Sequence, residues 1–311
     1  MFFGTNGLKG IIGIIISAFF IGIIIYKTLK IVLKFDIETY DDFLSYIINS
    51  ENVFIKNSFK NIVNIFLVIT FYIMVAAFSA YMFQEFEISN IWGCIISGIL
   101  CYIIFRKNIK NVVDISIILI PILIVFILIL SVKNVTFVNF PSDIEHMHIK
   151  NNFIVNTVLY SSYNSILLVP VLVTFRKYLN EKKELKLIMI INVIIISTIS
   201  ILILLMISKI HNLEEIEIPI IEIANSSGVV YRVLGGFFMI IAILTSVLSS
   251  GYAILSNFVK SPKIYKIINI LMCISTVIIS NIGFSKLINI LYPIFGFLGI
   301  IQIIMIIKKK T

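Results

Sequence analysis

Phe153-Ile154-Val155-Asn156-Thr157-Val158-Leu159-Tyr160-Ser161-Ser162-Tyr163-Asn164-Ser165-Ile166-Leu167-Leu168-Val169 sets six consecutive non-aliphatic residues, Tyr160 to Ser165, inside an otherwise apolar run. The run is long enough to cross a bilayer, so the polar block falls near mid-depth. Hydrocarbon offers no hydrogen bonds, and polar side chains there need a protein partner, a water-filled cavity or a ligand. Two readings follow. Ser and Asn can bond to neighbouring helices as packing glue. Alternatively, the block lines a solute site, as in transporters that unwind a helix at the midplane.

The rest of the chain fits a membrane setting. It is 59% hydrophobic and 13% charged, with mean hydropathy +1.09. A soluble chain carries about 25% charged residues. Nine spans are expected, at about 8–28, 61–83, 89–105, 113–132, 151–174, 186–208, 230–256, 264–283 and 287–307. The longest remaining stretch is about 30 residues, too short for a catalytic domain. One transmembrane domain covers residues 1–311.

Loop charge tests this count. Segments 27–60, 106–110, 176–186, 260–266 and 308–310 carry five, three, five, three and three Lys or Arg. The alternate segments carry only Lys9, Lys133, Lys150, Lys209, Arg232 and Lys286, giving nineteen against six. That alternation follows the positive-inside rule and sets the C-terminus in the cytoplasm and Met1 outside. The net charge of +9 thus belongs beside anionic lipid rather than nucleic acid. Segment 36–57, which alternates acidic and apolar residues, reads either as a surface helix or as a solvated linker.

Other chemistry has few carriers. Cys94, Cys101 and Cys273 lie in apolar segments and suggest neither a disulfide framework nor a zinc site. Asp143, Glu145, His146 and His148 form a weak metal-like cluster in a short loop. Asp114 is the one carboxylate near a span, read as a helix-start residue. No nucleophile triad, phosphate loop or metalloprotease motif is present, so an enzyme is not expected. Ala242-Ile243-Leu244-Thr245-Ser246 and Ser249 offer oxygen ligands of the kind sodium takes. On composition alone the same residues read more readily as small-residue packing with back-bonded hydroxyls. Gly7, Gly10, Gly13, Gly296 and Gly299 fit close helix approach.

Several of these pieces, in this order, resemble the YkvI-like family of bacterial membrane proteins, an amino-acid/polyamine/organocation group similar to LeuT-fold transporters. They are Phe2-Phe3 with the three early glycines, Leu159 to Asn164, Glu217-Ile218-Pro219-Ile220 with Ala224, Ala242 to Ser246, and Leu291 to Gly299. The resemblance implies an all-α fold of two inverted five-helix repeats, each opening on a helix broken at the binding site. Nine of the ten helices would be present, with residues 1–132 the remainder of the first repeat and 151–311 the second. The glycine-rich opening helix of repeat one would precede Phe2. The resemblance also implies that Tyr160, Ser161, Ser162, Tyr163, Asn164 and Ser165 contact a small organic solute such as an amino acid. Ala242, Thr245 and Ser246 would help coordinate a sodium ion, and 217–228 would form an outer lid. A non-transporting receptor or assembly subunit on the same fold is the alternative function, and an inactive truncated remnant a third.

Overall fold

The computed structural model describes residues 8–48, 53–106, 110–135, 153–174, 176, 179, 184–208, 210, 216, 218–258, 261–279 and 284–309. These residues form α1 (Leu8–Phe35), α2 (Tyr40–Ile48), α3 (Val53–Phe86), α4 (Asn90–Arg106), α5 (Lys110–Val135) and α6 (Phe153–Thr174). There follow α7 (Glu184–Ile207), α8 (Pro219–Ser226), α9 (Val229–Phe258), α10 (Pro262–Ile279) and α11 (Phe284–Lys308). No strand occurs among the described residues. Each of the nine expected spans coincides with a helix. Six of them, α1, α3, α6, α7, α9 and α11, are long and apolar enough to cross a membrane; α4 and residues 120–135 of α5 are shorter apolar segments.

Local chemistry sets the helix ends. Asp36 and Glu87 adopt left-handed backbone, with φ of 52° and 57°, and stop α1 and α3. The amides of Ile37 and Ile88 then reach back to Val32 and Met82, satisfying carbonyls that the helix leaves unpaired. Thr39 caps α2 by accepting the Asp42 amide while its hydroxyl donates to the Asp42 carboxylate at 2.6 Å. Residues 36–57 therefore include a real helix at 40–48. Its apolar side chains Tyr40, Phe43, Leu44 and Ile47 are buried, while Asp42 and Ser45 remain exposed.

The chain divides into two compact units that interleave along the sequence. One comprises residues 1–66, 139–204 and 290–311; the other comprises 67–138 and 205–289. In the first, α1 packs along α6, and α2 also touches α6. The Ser17 hydroxyl donates to the Thr157 carbonyl at 3.1 Å, and Arg176 pairs with Asp36 at 2.6 Å. Both pairs are 140 positions apart, so the two helices run parallel in constant register. In the second, α4 packs on α10 and α5 on α9. Its core joins Phe71, Phe78, Tyr81, Cys94, Cys101 and Val247.

Polar pairs within each unit agree with the charge alternation. Asp36–Arg176 and Lys60–Asp41 link segments assigned to the basic side. Glu85–Arg232 at 2.5 Å and the Lys133 ammonium on the Ser227 carbonyl link segments assigned to the other side. Only 6% of the apolar window of α7 is buried, against 67% for α3. The first half of α7 presents Leu187, Ile190, Ile191, Ile194 and Ile195 outward, as a lipid-facing surface does, while Leu185, Leu204 and Leu205 near its ends are buried.

Candidate functional site

Helix α6 carries the polar block without interruption. Residues 153–174 are helical throughout, including Tyr160 to Ser165 and Pro170. The broken helix implied by the family resemblance is thus corrected for this segment. The reason lies in the side chains. Ser161 donates to Thr157 O at 2.8 Å and Asn164 Nδ2 to Tyr160 O at 2.8 Å, so these groups add to the helix's own carbonyls instead of displacing the backbone bonds.

The six residues divide by environment. Ser161, Ser162 and Ser165 are buried, whereas Tyr160, Tyr163 and Asn164 are half-buried. The two tyrosines meet edge-on, with ring centroids 5.5 Å apart at 88°. Tyr163 also stacks on Tyr292 of α11 at 4.6 Å and 23°, and Tyr292 lies 6.2 Å from Phe295. The Tyr160 hydroxyl shares a hydrogen bond with Ser200 of α7. Tyr292 was not among the side chains expected at the site. Its signals in the sequence are its place before Pro293 and within the Leu291 to Gly299 piece, and no spacing rule connects either to Tyr163.

Gly296 and Gly299 of α11 explain how that tyrosine reaches α6. A Cβ on Gly296 would lie 2.7 Å from Leu159 Cδ2 and 3.2 Å from Leu159 O. A Cβ on Gly299 would overlap the Ser162 carbonyl outright. The helices therefore touch backbone to backbone, as small residues permit in membranes.

The candidate sodium ligands lie on α9, in the other unit. Thr245 Oγ1 donates to Ala242 O at 3.0 Å and Ser246 Oγ donates to the same carbonyl at 2.8 Å. Ser249 and Ser250 repeat the pattern on Thr245 O and Ser246 O. Three oxygens thus gather within one helical turn. Both hydroxyls spend their protons on Ala242 O, so a cation ligated by all three requires those protons to turn away. Ala242 and Thr245 are half-buried and Ser246 is exposed.

Among the described residues, no group of three or more His, Cys, Asp or Glu is placed to hold a metal. His146, His148, Asp143 and Glu145 fall outside the described residues, as do Phe2, Phe3, Gly7 and Glu217. Asp114 lies more than one turn inside α5, which begins at Lys110, so it is not the residue that caps that helix. On the acidic side, Glu85 accepts from Arg232 and from Asn225 Nδ2 at 3.3 Å, which anchors α8 beside α3 and α9.

No protein-family model matches this chain, and no curated protein matches it.

Proposed function

We propose that the protein is a secondary transporter of a small organic solute, with an amino acid as the leading class. The observation that carries this reading is the cluster on α6: a run of hydroxyls and an amide midway along the helix, with Tyr160, Tyr163 and Tyr292 drawn together beside it. Packing glue needs one or two such groups per interface, not six in sequence. Tyrosine faces and neutral donors favour a solute of zero net charge, because an unpaired buried charge is costly. A zwitterionic amino acid meets that condition, and its ammonium can sit against a tyrosine face.

The interleaving of the two units supports the same reading. Each unit takes helices from both halves of the sequence, α1 with α6 in one and α4 with α10 in the other. Intertwined halves are what an inverted repeat produces, and alternating access works by relative movement of such bodies. In this proposal Tyr160, Tyr163 and Asn164 contact the solute, with Ser161, Ser162 and Ser165 behind them. Ala242, Thr245 and Ser246 supply oxygens to a sodium ion as coupling ion. The setting is the cell membrane, with the C-terminus in the cytoplasm.

A thermal-shift screen of the purified protein against amino acids and related solutes tests the site. A stabilising solute is expected, and Tyr163→Leu and Asn164→Ala should each abolish its shift. A solute that still stabilises both variants to the wild-type extent would remove the α6 block from the account.

A further inference from the structure

Two fully buried side-chain oxygens, on neighbouring helices of one unit, lack a hydrogen-bond partner among the described residues: Ser165 Oγ on α6 and Gln302 Oε1 on α11. Leaving such an atom unpaired in a low-dielectric interior is costly. The register of α6 on α11 brings the two together. Gly296 lies against Leu159 and Gly299 against Ser162. Three residues further along each helix, on the same face, come Gln302 and Ser165.

Helix α2 closes this position. Gln302 Nε2 donates to the Tyr40 hydroxyl at 3.0 Å, across 262 positions of sequence, and Tyr40 is 4% exposed. Burial, with the Asp41 carboxylate adding to it, pushes the Tyr40 phenol far above its ordinary value. The phenol therefore keeps its proton and has it to donate. A third unpartnered oxygen of the same unit, Thr28 Oγ1, is fully buried on α1. It lies about three turns beyond Ser17 and so on the face that Ser17 turns to α6.

We infer that Ser165, Gln302 and Tyr40 enclose a binding site for a single structural water. One water accepts the Tyr40 proton, donates to Gln302 Oε1 and exchanges a hydrogen bond with Ser165 Oγ. That gives the two to four polar partners a buried water takes. A metal cation fits less well. The donors are neutral, no carboxylate is among them, and the nearby Lys27 ammonium already sits on the last turn of α11, donating to Ile307 O at 2.7 Å. The water would join α2 to the core of its unit, at the residue two positions beyond Tyr163 on α6. This inference does not depend on transport: it holds for a receptor on the same fold.

The test uses the full protein in nanodiscs. Ser165→Ala removes one partner of the water and is expected to lower Tm by several degrees; Gln302→Leu should do the same, and the double variant should lose less than the two together. A neutral or raised Tm in Ser165→Ala would mean that the oxygen is simply unpaired, and would overturn the site. X-ray radiolytic labelling, in which a resident water oxidises the side chains beside it, gives a readout independent of folding yield. Tyr40 should be labelled in the wild type and several-fold less in Ser165→Ala. Absent labelling of wild-type Tyr40 would mean that no water resides beside it, also overturning the site. A Tm rise specific to NaCl over choline chloride, lost in Ser165→Ala, would assign a cation instead and overturn the water.

Discussion

A methyl group on Gly299 has nowhere to go. It would overlap the Ser162 carbonyl oxygen and carbon and lie 3.1 Å from Ser162 Cα, all backbone atoms of α6. An unstrained C···O contact needs about 3.3–3.6 Å, so α11 must withdraw from α6 by about 1.5 Å. Overpacking of this kind costs about 1–3 kcal/mol. In an unobstructed helix the same Gly→Ala change would instead gain about 1 kcal/mol. Gly299→Ala is therefore expected to lose stability where a free site would gain it. Gly296→Ala should lose less, because its closest obstacle is the end of the flexible Leu159 side chain. Equilibrium unfolding in mixed detergent micelles measures both, with Ile301→Ala on the exposed face of α11 as a control. A Gly299→Ala protein as stable as wild type, or more so, would refute the backbone contact and with it the placement of Tyr292 beside Tyr163.

Other expectations concern charge, ions and orientation. Arg232→Ala should destabilise more than Glu85→Gln, because the Glu85 side chain is 8% exposed and would be left charged with Asn225 alone; chemical unfolding of the two variants decides it. If sodium binds at Ala242, Thr245 and Ser246, NaCl raises Tm relative to choline chloride and Thr245→Val removes the rise. An unchanged wild-type Tm would leave these hydroxyls as back-bonded packing groups. In a background lacking Cys94, Cys101 and Cys273, Glu87→Cys should react with a membrane-impermeant thiol reagent in intact cells and Glu38→Cys should not; the reverse pattern would invert the topology.

Length and hydrophobicity made the helices legible, because a run such as Glu184 to Ile207 admits no other stable form in lipid. Loop charge made the shared sides legible, and Asp36–Arg176 and Glu85–Arg232 close where the alternation allows. The glycines at 296 and 299 announced a close approach but not its partner. Tertiary register escaped the sequence. Nothing local links Tyr292 to Tyr163 or Tyr40 to Gln302, since each pair joins helices far apart in the chain. The break in α6 was expected from the family resemblance, and local side-chain chemistry explains why it is missing. Ser and Asn favour non-helical bonding in water, yet inside a span they bond back to the helix and leave it whole.

Flux tests the central claim most directly. Proteoliposomes holding the purified protein should accumulate at least one labelled solute from an amino-acid mixture above protein-free vesicles, and Tyr163→Leu or Asn164→Ala should cut the initial rate by about tenfold or more, as loss of roughly 1.4 kcal/mol of solute binding would. Uptake that neither substitution alters would contradict the assignment of the site, and a solute that binds without being moved would contradict transport itself.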